Sequence, residues 1–350
     1  MGASILIKNS ITTQIGFDIG NQNDFRKRFF NNEGVIGDLV LEQNEKFLNY
    51  GIYAVGSYKF DNFTISSGIR FDKNRVSIDD NYLEDGNNSD KINLNSINPS
   101  LGINYKADNL TRFFANVSSG FETPTLNEFG SSPIGSGFNK NLKSQKSINY
   151  ELGFSKTSMN NNLKFDLVYF NTLTNDEVLP YEDSQYPNQV FYNNAGKTKR
   201  NGIEFSGNYS ISNYLKLNSS ISIGEYLFDV FEKDDKNYSG NKIPGVPEKI
   251  ITFEIDYINN SNLKLNLSLK NIGEMYANNS NSVKIDDFNI LNLKVGKGFN
   301  YNNILVNPFL IFNNILGTSY YDNIRINAFG GRFYEPAPKS TIFGGVKIDF

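Results

Sequence analysis

The sequence predicts an all-β protein, a transmembrane antiparallel up-and-down β-barrel of about 14 strands. Apolar and polar residues alternate along most of the 350-residue chain, which is the period of a strand with one apolar face. Short polar turns and long polar connections also follow one another without a break from residue 47 onward. Outer-membrane barrels show this order because their tight turns face the periplasm and their long loops face outward.

Alternating apolar residues define the strands in order. The first strand begins near Ile11, and residues 3–7 resemble the end of a further strand. Many segments exceed the roughly 9–11 residues that cross a bilayer at a tilt, so we expect strands to project beyond the membrane. The clearest apolar rows lie in residues 48–60, 63–71, 101–105, 148–154, 203–211, 251–257 and 263–269.

The connections between these rows are of two kinds. A soluble β-sandwich has no physical reason to alternate them over six successive pairs. Pro99, Pro308 and Pro338 lie within strand-like runs, where a missing N–H predicts a bulge or a strand end. The short turns lie near residues 61–62, 108–109, 160–161, 212–213, 260–261 and 302, and the long connections near 73–91, 122–146, 174–191, 229–246, 275–286 and 317–336.

The composition excludes several kinds of chemistry. The chain contains no His and no Cys, which excludes Ser-His-Asp catalysis, thiol nucleophiles, His/Cys zinc sites and haem ligation by His. The formal charge of -3 gives no general attraction to nucleic acid or anionic lipid. We therefore predict no enzymatic activity, no cofactor and no nucleic-acid partner. No apolar run is long enough for a transmembrane helix, and the N-terminus does not resemble a signal peptide.

The two faces of the predicted sheet differ in chemistry, which sets their orientation. Lipid offers no hydrogen bonds, so a sheet in a bilayer must close into a barrel. A Lys or Arg facing lipid at the midplane costs about 2–4 kcal/mol, so the charged residues must face the lumen. A soluble sandwich, with the apolar face packed inside, is the alternative interpretation. The residues predicted to face the lumen are Arg70, Glu151, Glu204, Glu254, Asp256, Lys264 and Lys270.

Six segments in order resemble motifs of TonB-dependent outer-membrane receptors. Residues 113–128 (FFANVSSGFETPTLNE) are similar to the family's S-x-G-F-R-A-P-T-L-x-E, with Glu122 and Thr123 in place of Arg and Ala. The chain ends with Val346, Ile348 and Phe350 at alternate positions, which resembles the assembly signal of outer-membrane barrels. The other matching segments are residues 141–153 (NLKSQKSINYELG), 194–204 (NAGKTKRNGIE), 243–247 (IPGVP) and 313–320 (NNILGTSY).

The resemblance implies a barrel of about 22 strands, plugged by an N-terminal domain and energised by TonB-ExbB-ExbD through a TonB box. The chain shows neither a plug nor a TonB box, and 14 strands leave about eight unaccounted for. We therefore interpret residues 1–350 as the C-terminal part of an outer-membrane β-barrel, from a fragment or a misplaced gene start. The expected location is the Gram-negative outer membrane. The expected partners are its lipid, the plug domain, TonB-ExbB-ExbD, the barrel assembly machinery and a small-molecule metal chelate.

The long connections carry the candidate ligand residues. Arg325, Phe329, Arg332 and Tyr334 combine cations with aromatic rings, which suits an anionic aromatic ligand such as a ferric siderophore. An interfacial aromatic girdle with ordinary loop charge is the alternative. Tyr181 and Tyr192, with the neighbouring Tyr186 and Phe191, form a second candidate loop.

Carboxylates in two other regions have open interpretations. Glu151 and Glu204 either contact the plug, as the resemblance implies, or are solvated in the lumen. The acidic stretch 79–90 either binds calcium or is a solvated loop, and its spacing fits no calcium-binding loop.

These observations lead to one functional expectation and two alternatives. The chain is expected to be part of a TonB-dependent receptor for energised uptake of a scarce nutrient. The favoured nutrient is a ferric siderophore. The alternatives are a passive 14-stranded porin-like channel and a soluble β-rich binding protein. The absence of His argues against haem uptake.

Overall fold

A computed structural model describes residues 2–8, 10–130, 138–183, 185, 189–233, 235–302 and 304–349. None of the helices in these ranges is long and apolar enough to cross a membrane. In chain order the elements are β1 (Gly2–Lys8), β2 (Ile11–Asn32), β3 (Val35–Phe60), β4 (Phe63–Asp80), β5 (Asp90–Lys106), β6 (Thr111–Glu122), α1 (Leu126–Phe129), β7 (Gln145–Thr157), β8 (Leu163–Asn175), β9 (Val178–Glu182), β10 (Val190–Asn194), β11 (Lys197–Ser210), β12 (Leu215–Val230), β13 (Glu232–Lys233), β14 (Lys236–Asn237), β15 (Lys249–Ile258), β16 (Leu263–Ile272), β17 (Met275–Tyr276), β18 (Lys284–Ile285), β19 (Phe288–Lys297), β20 (Phe299–Tyr301), β21 (Ile304–Asn313), β22 (Tyr321–Ile324), a 3-10 turn (Phe329–Gly331), β23 (Tyr334–Pro336) and β24 (Thr341–Asp349).

One antiparallel sheet of 16 strands forms the body of the protein. Its order is β1 to β8, then β11, β12, β15, β16, β19, β21 and β24, and β20 pairs with the first residues of β21. Without β1 and the three-residue β20, 14 strands remain from Ile11 onward, which is the predicted number. The all-β, up-and-down fold is confirmed. In the described residues the sheet is open, because β1 and β24 do not pair with each other.

The two ends of the sheet differ as the sequence predicts. Short turns such as 61–62 and 259–262 lie at one end, and the long connections lie at the other. Four of the long connections contain a small hairpin, namely β9–β10, β13–β14, β17–β18 and β22–β23. One long connection is shorter than predicted: β4 continues to Asp80 and β5 begins at Asp90, because Val76 and Ile78 pack against loop residues in a buried cluster.

The prolines mark places where a ladder ends. Pro99 lies in β5 beside Ser100, at which the pairing of β5 with β6 stops. Pro308 lies in β21 beside Phe309, at which the pairing with β19 stops. Of the two predicted possibilities, a bulge or a strand end, neither proline forms a bulge, since the ladder on the other side keeps its register, and one ladder ends beside each of them. Pro338 follows β23 and lies outside the strands.

The apolar rows of the sheet are exposed and do not pack into a two-layer core. Ile52 is 62% exposed, Leu152 59% and Phe253 47%. The buried apolar clusters lie instead among the long connections, one around Phe129 and one around Phe228. Such an extensive exposed apolar surface is incompatible with water and indicates contact with hydrocarbon. The soluble-sandwich alternative is therefore wrong.

A continuous row of aromatic rings crosses the apolar face near the short turns. Successive ring centroids lie 4.7–6.5 Å apart, and the row extends over seven neighbouring strands from β3 to β11. Aromatic girdles occur where a barrel passes through the membrane interface, so this row marks one boundary of the apolar band. Its members are Tyr58, Phe60, Phe63, Tyr105, Phe113, Phe154, Phe165 and Phe205.

Replacement of Ile69 by Lys tests the orientation of the sheet. Ile69 is 53% exposed on the apolar face of β4, and a Lys there should lower the free energy of unfolding by about 2–4 kcal/mol. Urea unfolding from phospholipid vesicles, followed by the heat-modifiable shift in gel mobility, measures this change. Ser66→Lys, on the opposite face of β4, is the matched control and should have little effect. Equal losses for both variants would contradict the assigned orientation.

Candidate functional site

Asparagine side chains join neighbouring loops by hydrogen bonds to main-chain groups. The amide of the Asn accepts from the N–H and donates to the carbonyl of one residue, as the main chain of a paired strand does. The Asn194 amide accepts from the Lys143 N–H (2.9 Å) and donates to the Lys143 carbonyl (2.9 Å) and the Asp176 carbonyl (2.6 Å). Asn281 makes the same pair of bonds to Lys242, at 2.7 and 2.9 Å. These bonds join the β6–β7 connection to the β8–β11 connection, and the β12–β15 connection to the β16–β19 connection.

Asn327 is the point at which three long connections meet. Its N–H donates to the Ala277 carbonyl (3.0 Å), and its amide donates to the Pro180 carbonyl (3.2 Å). Its amide oxygen also accepts from the Asn279 N–H (2.9 Å). Its φ of 56° is left-handed, a conformation that Asn adopts more readily than most residues. The connection between β21 and β24 is thereby held against those between β8 and β11 and between β16 and β19.

Glu182 lies beside this point and holds both predicted arginines. Its side chain is 3% exposed. Arg325 Nη2 lies 2.6 Å from Glu182 Oε1, and Arg332 Nη2 lies 3.3 Å from Oε2. The Phe329 N–H also donates to Oε2, at 3.2 Å. The structure therefore brings together Arg325, Phe329 and Arg332 around a carboxylate that is 143 and 150 residues away from the two arginines.

The aromatic candidates divide between two places. Tyr334 stacks on Tyr321 with centroids 4.4 Å apart, in the hairpin that leads into Arg325, and Phe329 is 45% exposed. Tyr181 precedes Glu182 in the chain, and the Lys233 ammonium lies 3.3 Å from the centroid of the Tyr181 ring. Of these residues, Phe329 belongs to the arginine cluster through its main chain, which bonds to Glu182 and Arg332.

Tyr192 lies apart from the arginine cluster. It packs against the buried cluster around Phe129, and burial, with the nearby Glu128 charge second, raises the pKa of its phenol. Tyr186, which the sequence groups with Tyr192 and Tyr181, lies outside the described residues.

The predicted lumen residues share the polar face of the sheet. The Arg70 guanidinium bridges Asp18 and Asp72, both at 2.7 Å. Gly51 lies beneath it, where an added Cβ would be 2.2 Å from Arg70 Nη2, so a larger residue there would displace the guanidinium from this position. Glu151 accepts a hydrogen bond from Asn116 at 3.3 Å.

The other predicted lumen carboxylates have the same orientation. Strand register places Glu204 opposite Ser222 and Glu254 opposite Asn218, on the polar side of β11 and β15. Contact of these residues with a plug stays a prediction.

The segment that resembles the family's P-T-L-x-E motif has a structural role. Thr125 and Glu128 form a capping box at α1, in which Glu128 Oε2 accepts from the Thr125 N–H at 2.6 Å. Leu126 and Phe129 are buried beneath the loops. Asn127 accepts from Arg26 at 3.1 Å, which ties α1 to β2. The motif therefore closes the connection between β6 and β7 over the sheet.

Two further predicted sites have simple structural surroundings. Val346 and Ile348 lie on the exposed apolar face of β24, 59% and 48% exposed, and Phe350 lies outside the described residues. In the acidic stretch, Asp79 pairs with Lys46 at 2.6 Å, and Asp80 accepts from two loop N–H groups. Across the described ranges, no three His, Cys, Asp or Glu residues are grouped to hold a metal ion.

Replacement of Asn194 by Ala tests the joining of the loops. The change removes three hydrogen bonds and leaves two carbonyls and one N–H without their partner, so local opening should become easier by about 1–3 kcal/mol. Hydrogen exchange of the connections 123–144 and 176–196 measures this change. Asn260→Ala, in an exposed short turn, is the control and should leave exchange in these loops unaltered. Unchanged exchange in Asn194→Ala would show that the bonds do not hold the loops.

Comparison with solved structures shows the same fold. The ferric yersiniabactin uptake receptor FyuA from Yersinia pestis matches with a TM-score of 0.78 and 18% identity, over 100% of this chain and 53% of that one. The ferric citrate transporter FecA, in its unliganded form, gives 0.79 and 16%, over 99% and 53%. The copper transporter OprC gives 0.78 and 14%, over 99% and 55%. The chain thus spans about half the length of these proteins.

A protein-family comparison agrees with the fold and the motifs. The model of the family described as "TonB dependent receptor-like, beta-barrel" matches residues 6–334. Proteins of this family are receptors of the Gram-negative outer membrane, and this is also the location of the present chain. The match does not favour the porin-like alternative. The chain belongs to the TonB-dependent receptor β-barrel family.

Proposed function

We propose that the chain is the barrel part of a receptor for energised uptake of a ferric siderophore. The observation that carries this proposal is the cluster of Arg325, Arg332 and the exposed Phe329 at the loop end of the sheet. Guanidinium groups beside aromatic rings suit an anionic, aromatic metal chelate. Two of the similar structures are named for ferric chelates and one for copper, which supports a metal-containing ligand.

The proposal assigns a role to each region of the chain. The long connections capture the ligand, and the polar wall, including Arg70, Glu151, Glu204 and Glu254, contacts a plug domain. Ligand binding shifts the plug toward a state that TonB, energised by ExbB-ExbD, can engage. Val346, Ile348 and Phe350 engage the barrel assembly machinery. Residues 1–350 act as one barrel portion that binds and admits its ligand without catalysing a reaction.

Uptake in cells tests this function. A strain that lacks the gene, complemented with wild type or with Arg325→Ala/Arg332→Ala, is given ferric siderophores labelled with radioactive iron. We expect no uptake without the gene and full uptake with the wild-type gene. Uptake with the double variant should be at least about tenfold slower, because the ligand loses both guanidinium groups, and a tenfold loss of affinity corresponds to about 1.4 kcal/mol.

Arg112→Ala, near a short turn at the far end of the sheet, is the control for removal of an arginine. It should transport normally. The proposal fails if labelled iron enters equally with and without the gene while uptake of another nutrient depends on it.

A further inference from the structure

The arginine cluster already holds a carboxylate, and it holds both oxygens. Arg325 donates to one Glu182 oxygen, while Arg332 and the Phe329 N–H donate to the other. Arg332 Nε also donates to the Phe329 carbonyl at 3.1 Å, which fixes its guanidinium beside the N–H. Two guanidinium groups and a peptide N–H thus form a receptor shaped for the two oxygens of one carboxylate.

The charge around this receptor favours anions. The two arginines and Glu182 sum to +2 - 1 = +1. The arginine side chains are 33% and 44% exposed, so a dissolved anion can approach them, whereas the Glu182 side chain is almost fully enclosed.

Glu182 belongs to a different loop from the residues that grip it. It ends β9 in the connection between β8 and β11, whereas the receptor lies between β21 and β24. A buried carboxylate that loses its cations is strongly destabilised, so Glu182 must turn toward water when another anion takes its place. An exchange of carboxylates would therefore loosen the contact between these two loops.

We propose that Arg325, Arg332 and the Phe329 N–H form a carboxylate-recognition site in which Glu182 is an internal competitor. The ligand class is a carboxylate-bearing metal chelate, whose carboxylate replaces that of Glu182 and releases the β9–β10 hairpin. This inference rests on the proposed function, because it names the chemical class of the ligand at the same loop site. Each arginine donates one Nη2 group to a different oxygen, so the two side chains together grip both oxygens of the carboxylate.

An internal competitor lowers the apparent affinity for a ligand, because the ligand can bind only those molecules in which the competitor has left the site. The affinity falls in proportion to that fraction of molecules. Glu182→Gln keeps the size of the side chain but removes its charge. The probe is ferric citrate, titrated calorimetrically into the detergent-solubilised chain, with iron-free citrate as a second probe. We expect Glu182→Gln to bind both probes about tenfold or more tightly than wild type, and Arg325→Gln to lose binding.

Glu335→Gln is the matched control. It makes the same change of charge in the connection that carries the two arginines, where Glu335 accepts a hydrogen bond from Asn323 at 3.1 Å, and it should bind as wild type does. Unaltered or weaker citrate binding by Glu182→Gln would overturn the inference.

Loop release gives a second readout that does not depend on the folding of Glu182→Gln. The chain has no Cys, so nitroxide labels can be placed on Val190→Cys and Asp322→Cys alone, one on each loop. Citrate should lengthen or broaden the distribution of distances between the labels when Glu182 is present. An unchanged distribution at saturating citrate would contradict the exchange.

The same measurements separate this inference from the function on which it rests. If an uncharged ferric trishydroxamate binds wild type and Glu182→Gln equally while citrate binds neither, the carboxylate site is wrong and the iron-receptor function stands. If iron-free citrate shows the full Glu182 effect while cells take up no labelled iron through this protein, the site stands and the iron-receptor function is wrong.

Discussion

The structure depends on one constraint: hydrocarbon supplies no hydrogen bonds to the main chain. Main-chain N–H and carbonyl groups in the apolar band therefore need partners within the sheet, and antiparallel pairing of neighbouring strands supplies them, except at the outer edges of β1 and β24, which do not pair with each other in the described residues. The same constraint orders the side chains, because alternate residues face opposite sides of a strand. Isoleucine, leucine and phenylalanine take the lipid side, and the ion pair of Arg70 with Asp72 lies on the other.

Beyond the membrane band the stabilising interactions change in kind. Water is available there, yet the long connections are ordered by exposed and half-buried polar contacts and by two small buried apolar clusters. Asn194, Asn281 and Asn327 bond to main chain of other loops, and Glu182 binds two arginines across a separation of more than 140 residues. The rim is thus a connected polar structure, and the proposed ligand site lies where its loops cross.

The sequence predicts the sheet well because its information is local. Alternation identifies each strand, and the order of short and long connections identifies which end is which, from Ile11 to the last strand. The limits of the connection near Asp80 were missed, since inward-facing Val76 and Ile78 extend the strand only by packing against a distant loop. The pairing of strands follows the predicted up-and-down order, because each strand of the sheet pairs with the next sheet strand along the chain.

The candidate site was predicted only in part, for the opposite reason. Composition and motif draw attention to Arg325 and Arg332, because cations beside aromatic residues are visible in one short segment. Nothing local connects them with Glu182, whose partners come from another loop. Asn194 stands in a segment that resembles a family motif, yet its role depends on contacts that no single segment reveals.

The asparagine bonds between loops also affect how such a rim can change over evolution. The Asn194 side chain bonds to the main-chain N–H and carbonyl of residue 143, and these two bonds do not involve the side chain of residue 143. Any residue except proline offers the same two groups, so these hydrogen bonds do not depend on which side chain stands at position 143. A frame anchored in this way tolerates rapid diversification of its outward side chains, and new ligand preferences can arise on it without the loops having to be rebuilt.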